Sequence, residues 1–406
     1  MSLVRSRVRW FGALGTLAML STLGSTSANA QQVKTVFVIA MENHNWTQPS
    51  NKFSGPIQQI FQNPNAPFIN SLVDGSAVAL VGDSVVHISQ QVAYATNYHN
   101  VLATPSGNNP HIHPSEPNYL WAEAGANFGV FNDNDPYSSK GPTNQDTDQH
   151  LSSWLTAAGR TWRSYQEDID LAHNDAGQLT NNPLPQNLWT VPLTSFSGHF
   201  AAGSVNAFNG SDQYNYAAKH NPMVFFTDTN GGNDATTANP LACMYAPLQQ
   251  LFTDLANDAV AQYNWITPNQ YNDMHTSLTG GYQGLTGDAA NIKQGDDFLR
   301  QIIPAIMASN AYKNHGAIVI WFDESEQDVA GANPDDFNHT IAEIVISDRA
   351  HPNVGGRPYA STIQYTHSSD LLTMQEIFRV GPPLGDAAFA NDLSDLFKPG
   401  AVPQKP

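Results

Sequence analysis

Residues 316–322 read GAIVIWF, an unbroken apolar run rich in β-branched residues, and Asp323 and Glu324 follow it directly. A run of this kind without alternation is a strand covered on both faces, the situation of a strand inside a parallel sheet flanked by helices. A second such run, VKTVFVIA at 33–40, is followed by Met41, Glu42 and Asn43. Further β-branched runs alternate with amphipathic stretches to the end of the chain. This alternation predicts an α/β fold with a central, mostly parallel β-sheet and helices on both faces.

The same reading predicts strands at 77–81, 161–165, 223–226, 262–266 and 341–346, and helices at 66–73, 118–126, 150–158, 246–256, 296–309 and 369–378. Pro117 suits the first turn of the helix at 118–126, and Ser369 with Asp370 caps the last one. Polar stretches at 104–117, 132–147, 173–187 and 269–295 separate these elements. Loops of such length inside a compact domain are usually functional. There is no internal repeat and no low-complexity linker, so residues 31–406 read as one catalytic domain.

The first thirty residues read as an export leader. Arg5, Arg7 and Arg9 precede an apolar run at 10–23 and a small-residue end, Ala28-Asn29-Ala30, which predicts cleavage before Gln31. The apolar run is shorter than the ~20 residues of a membrane span, and no second stretch approaches that length, so the mature protein is expected outside the cytoplasm, without stable membrane insertion.

Composition narrows the chemistry. A single cysteine, Cys243, excludes an intramolecular disulfide and a thiolate zinc site, so any metal must bind oxygen and imidazole. The 17 Lys and Arg against 35 Asp and Glu give a formal charge of −18, which repels nucleic acid and makes it an unsuitable general partner.

In a parallel α/β sheet, ligands collect beyond the carboxyl ends of the strands. Here those ends carry Glu42 and Asn43, then the stretch 267–275 with Asp273 and His275, then Asp323 and Glu324. A carboxylate after a strand is often only a turn or cap residue. A charge pair directly after a wholly apolar strand is costly unless metal or hydrogen bonds satisfy it, so Glu42, Asn43, Asp323 and Glu324 are read together as metal ligands. Ser115, in His113-Pro114-Ser115-Glu116-Pro117, stands just ahead of a predicted helix. It reads as an N-cap, as a nucleophile whose phosphoryl group meets free helix N–H groups, or as both, and beside a divalent cation it can ionise and join the ligands. His275, His339 and His367 are candidates to protonate a leaving group, contact phosphate or bind a second cation.

At these residues the chain resembles the phosphoesterase family of bacterial acid phosphatases and non-haemolytic phospholipase C enzymes, a branch of the alkaline phosphatase superfamily. The resembling segments run in order over the mature chain: VFVIAMENHNW (36–46), HPSEPNYLWAEAG (113–125), YAAKHNPMVFF (216–226), WITPNQYNDMH (265–275), GDDFLRQIIPAI (295–306), IVIWFDESE (318–326), NHTIAEIVIS (338–347) and YTHSSDLLTMQEIFRV (365–380). The resemblance implies an alkaline phosphatase-like fold. It implies that Glu42 with Asn43 and Asp323 with Glu324 hold metal, and that Ser115 is the nucleophile of a phosphoseryl intermediate. It also implies that His275, His339 and His367, with Asp273 beside them, contact metal or phosphate, and it leaves His220 without a role. Glu-Asn and Asp-Glu stand where the two-zinc enzymes carry Asp and Asp-His, which points to one divalent cation held largely by oxygen, calcium, magnesium or manganese ahead of zinc.

The expected activity is hydrolysis of a small phosphate monoester in two in-line steps. A phospholipase C acting on phospholipid would share the metal and nucleophile and differ at the rim. An exported binding protein that lost activity would lack Ser115, Asp323 or Glu42, all of which are present.

Overall fold

The computed structural model describes residues 31–47, 59–81, 84–100, 112–325 and 340–403. Its centre is an eight-stranded sheet of β1 (Thr35–Met41), β2 (Val92–Ala95), β3 (Trp162–Gln166), β4 (Tyr245–Pro247), β5 (Tyr263–Thr267), β6 (Gly316–Phe322), β7 (Glu343–Ser347) and β8 (Tyr359–Ser361). Across the sheet they follow the order β4-β3-β5-β1-β6-β7-β2-β8. Every neighbouring pair is parallel except the two made by β7, which alone runs against the rest. All of β6 and all but the first residue of β1 are buried, so both faces of the sheet are covered, as the apolar runs require.

The covering helices are α1 (Pro67–Asp74), α2 (Ser115–Ala124), α3 (Leu151–Ala157), α4 (Leu248–Ala256), α5 (Asp288–Ala308) and α6 (His367–Phe378). α1 packs on α5, and α2 packs on α6 and α3. Helix ends are tied by long-range bonds. Ala66, at the N-cap of α1, supplies no side-chain bond, and Asp296 in the middle of α5 instead accepts from the backbone N–H groups of Phe68 (3.1 Å) and Ile69 (2.8 Å). α6 opens with a reciprocal pair of bonds between Thr366 and Ser369.

Register then fixes the site. β1 and β6 pair from Thr35 with Gly316 to Met41 with Phe322, so the next residues on each, Glu42 and Asp323, emerge side by side from the sheet's centre.

Five sequence expectations are corrected. Residues 223–226 are not a strand, because Pro222–Phe225 forms a buried 3₁₀ turn and, among the described residues, this run makes a single bridge, Phe226 with Gln145. The strand expected at 77–81 is Val78–Val81, paired only with Ser84–His87 in a separate hairpin. The strand expected at 341–346 breaks at Ala342: Thr340–Ile341 pairs with Asn45–Thr47, and β7 begins at Glu343. α2 begins at Ser115 itself, so this serine is inside the first turn and not an N-cap. β2, β4 and β8 are additional strands, and residues 246–247, expected to open a helix, belong to β4. The leader at 1–30 and His339 lie outside the described residues. No helix among the described residues is long and apolar enough to cross a membrane.

Candidate active site

Glu42, Asn43, Ser115, Asp323 and Glu324 converge at the carboxyl end of β1 and β6. Ser115 Oγ donates to Glu42 Oε2 at 3.0 Å and lies 3.5 Å from Glu324 Oε1. The side-chain amide of Asn43 adjoins the same two oxygens, and its NH2 donates to Glu42 Oε2 at 3.3 Å and to Glu324 Oε1 at 3.0 Å. A cation among these carboxylates would instead turn the amide oxygen toward itself. The turn that brings Asn43 there has φ 51°, in the left-handed region that asparagine tolerates, and its backbone N–H donates to Asp323 Oδ1 at 3.0 Å. Asp323 N–H donates to the Met41 carbonyl at 3.2 Å. Its other carboxylate oxygen, Oδ2, is buried without a hydrogen-bond partner.

A second wing meets the other oxygen of Glu42. Tyr119 donates its hydroxyl to Glu42 Oε1, and its ring stacks on His220 with centroids 5.2 Å apart. His220 Nδ1 lies 3.2 Å from Asp273 Oδ2, and His220 Nε2 lies 3.2 Å from Glu42 Oε1. With Asp273 accepting the Nδ1 proton, a neutral His220 turns its Nε2 lone pair on a carboxylate, and a cation or a further proton between the two relieves that contact. Asp273 Oδ1 also accepts from the backbone N–H of His275 at 2.8 Å. Glu42, His220 and His275 each offer a ligand atom, all within 4.8 Å of one another.

The rim carries the positive charge. Lys219 Nζ is 3.1 Å from Asp133 Oδ2 and 3.4 Å from His275 Nε2. Asp133 Oδ1 accepts from the N–H of Glu116 at 3.1 Å, so that helix-start N–H, expected free for phosphate, is already bonded. Glu324 Oε2 meets His113 Nδ1 at 2.9 Å and the Asn118 amide at 3.0 Å.

Burial, and then the neighbouring carboxylates, hold Glu42 and Asp273 well above the ordinary carboxylate range. Burial pushes Asp323 to about 6, and pushes Glu324 to about 8 despite the opposing His113. Burial and then Lys219 pull His220 well down and His275 to about 4. Crowded carboxylates that resist ionising beside imidazoles that stay neutral are a donor set short of positive charge, and a divalent cation is the group that reverses both tendencies. The residues fit a metal. The expectation of largely oxygen ligation is amended, because two imidazoles adjoin the same carboxylate.

Of the remaining candidates, His275 reaches this centre and His367 does not. His367 Nδ1 accepts from the indole N–H of Trp321 at 2.9 Å, and its Nε2 donates to the backbone carbonyl of Asp323. Both ring nitrogens are therefore bonded behind the carboxylates, away from the Ser115–Glu42 pair. His113, Asn118, Tyr119 and Lys219 carried no strand-end signal and were not anticipated. Asn118 and Tyr119 stand three and four residues after Ser115, the spacing that puts them on its face of α2, so the helix period was the signal available.

The chain is similar to several known proteins. A relative is an acid phosphatase of Aspergillus fumigatus, 28% identical over 217 residues, covering 52% of this chain and 36% of that protein. A probable acid phosphatase of Kluyveromyces lactis is 28% identical over 218 residues, covering 53% of this chain and 38% of its own. The match thus spans little more than a third of these two relatives. A phosphatidylinositol-3-phosphatase of Mycobacterium tuberculosis is 25% identical over 338 residues, covering 83% and 78% of the two chains. Among solved structures, an alkaline phosphatase superfamily protein from Vibrio parahaemolyticus superposes with a TM-score of 0.45 at 10% identity, covering 90% of this chain and 72% of that one. The Phosphoesterase family model matches residues 24–381, and the chain belongs to that family.

Proposed function

We propose that the protein is a metal-dependent phosphoric ester hydrolase, a phosphomonoesterase of acid phosphatase type that uses Ser115 as nucleophile. The observation that carries this reading is the Ser115 hydroxyl in the first turn of α2, donating to Glu42 at 3.0 Å within a cluster of buried acceptors. Glu42, Asn43, Asp323, Glu324 and Ser115 would hold the cation, with His220 and His275 on the far side of Glu42. When bound, it supplies the positive charge that favours a serine alkoxide and offsets charge on the phosphoryl oxygens. Imidazole beside carboxylate raises manganese and zinc above calcium and magnesium as candidates.

The chain's own residues do the rest. Glu42 Oε2 accepts the Ser115 proton as Oγ attacks phosphorus, the P–O bond to the leaving group breaks, the departing oxygen takes up that proton to leave as the alcohol, and a phosphoseryl group remains. Water then attacks phosphorus in line, losing a proton to Glu42, the P–Oγ bond breaks, and Ser115 Oγ regains the proton as phosphate is released. Lys219 and His113 stand at the rim where the equatorial oxygens would lie, and their N–H groups can donate to them as charge develops. Asp273 keeps the Nδ1 proton on His220, so its ring does not turn.

The substrate read here is a small phosphate monoester. A lipid phosphomonoester is the second reading, supported by the phosphatidylinositol-3-phosphatase relative that spans most of the chain. The leader at 1–30 supports export, which N-terminal sequencing of the exported protein tests, with Gln31 expected first.

The activity is tested with p-nitrophenyl phosphate, bis-p-nitrophenyl phosphate, phosphatidylcholine and phosphatidylinositol 3-phosphate vesicles, each with and without chelator. The expected result is monoester hydrolysis lost in chelator and restored by manganese or zinc. Hydrolysis that persists after complete metal removal, or no turnover of any ester, overturns the reading.

A further inference from the structure

Asp323 is fixed at every polar atom but one. Its N–H donates to the Met41 carbonyl, its Oδ1 accepts from Asn43 N–H, and its own carbonyl accepts from His367. Among the described residues Oδ2 is left without a hydrogen-bond partner, and it is buried. The bond from His367 is the one that a side chain supplies from outside the site.

The proton arrangement on His367 follows from its two partners. Indole N–H can only donate, so Nδ1 must carry a lone pair, and a backbone carbonyl can only accept, so Nε2 must carry the proton. The imidazole is therefore neutral and held as one tautomer. Its orientation is also constrained, because the Trp321 ring packs against it with centroids 4.5 Å apart. His367 is the first residue of α6, so the Thr366–Ser369 bonds that open this helix also set the point from which its ring reaches under the site. Behind the ring, Tyr98 donates to Asp370 Oδ2, and Tyr98 OH lies 2.9 Å from His367 Nδ1, which closes the space into which the imidazole could swing.

We propose that His367 is a positioning residue that presets Asp323 for the cation: Trp321 fixes its tautomer, and its Nε2–H pins the Asp323 carbonyl so that Oδ2 faces the metal position. The inference rests on the metal-dependent reading of the site and adds a residue that touches neither metal nor substrate. Partners of this kind change metal affinity by about 10- to 100-fold when removed.

The test is retention of metal by the protein as purified, titrated with EDTA and followed by elemental analysis, with thermal unfolding measured in parallel. His367→Phe keeps a ring and removes the donor. His367→Gln keeps an N–H near the Nε2 position. Trp321→Phe leaves the histidine but removes the donor that fixes its tautomer.

The expected result is that His367→Phe releases metal at a chelator activity about 10- to 100-fold lower than wild type, that His367→Gln recovers most of that difference, and that Trp321→Phe falls between. If His367→Phe does not fold, Trp321→Phe and His367→Gln carry the comparison, and retention in Trp321→Phe equal to wild type overturns the proposal. Folded His367→Phe with wild-type retention overturns it as well, as does a Gln variant no better than Phe. A wild-type protein without metal refutes the underlying reading instead, which separates the two failures.

Discussion

Gly295→Ala gives a test of how tightly the site is built. Gly295 lies in α5, and a Cβ placed there would come within 2.3 Å of Met274 Cγ, 2.7 Å of Met274 Cε and 2.8 Å of Met41 Cε. Ordinary carbon contacts are at ~3.5–4.0 Å, so the Met274 side chain must move by more than ~1 Å near its root, where it has little freedom. Met274 sits between Asp273 and His275 at φ 84°, an unfavourable backbone for this residue, and Met41 immediately precedes Glu42. Both displaced side chains therefore pull on the two wings of the site. In an unencumbered helix the substitution would stabilise by ~1 kcal/mol through helix propensity. Overpacking of this kind costs ~1–3 kcal/mol, so the net expectation is a loss of up to ~2 kcal/mol. The effect on turnover should be larger, about 100-fold in kcat/KM for p-nitrophenyl phosphate, as a ~1 Å misplacement of catalytic groups entails. Steady-state kinetics beside thermal unfolding, at a temperature where the variant is folded, makes the measurement. Wild-type kcat/KM in the folded variant would refute the packing argument, and recovery on adding Met274→Ala would support it.

Three further outcomes are expected. Ser115→Ala should abolish ester turnover while thermal stability remains near wild type, and a pre-steady-state burst in that variant would remove Ser115 from its role. Lys219→Met should lower kcat/KM for p-nitrophenyl phosphate about 100-fold, and an unchanged value would show that the ammonium does not meet developing charge. His150 is fully buried between Glu123 (3.0 Å) and Asp228 (2.8 Å); burial alone would lower its pKa, and the two carboxylates outweigh it and raise it above the ordinary histidine value. A folded pKa above the unfolded one gives stability that is complete below pH ~6.5 and is lost as pH rises through the folded pKa. Wild-type Tm should therefore fall over that window relative to His150→Gln, and parallel Tm profiles would contradict the assignment.

The sequence was most legible where burial on both faces left no choice. β6 occupies 316–322 as read, and β1 is shifted only slightly from 33–40, because a continuous apolar run can lie only between two covered faces. Direction was not legible: β7 is buried and rich in β-branched residues like β6, yet it runs antiparallel to it, and side-chain pattern does not encode which way a buried strand runs. The four apolar residues at 223–226 show the converse, since a buried turn and a buried strand have the same hydropathy over so short a span. In the site, Glu42, Asn43, Asp323 and Glu324 were readable because each directly follows a strand. His220 and Lys219 sit on a 3₁₀ turn outside the central sheet, and Tyr119 on a helix face reads as core until its hydroxyl is seen on Glu42. His367 could be seen at a helix start, but only packing against Trp321 reveals that its ring points away from solvent and substrate.

The tie from Asp296 to the start of α1 implies an order of assembly. Phe68 and Ile69 find their acceptor more than two hundred residues later in the chain. A peptide covering 60–76 should accordingly be coil in water, and during synthesis this stretch has to wait for α5 to be made before its opening turn can close.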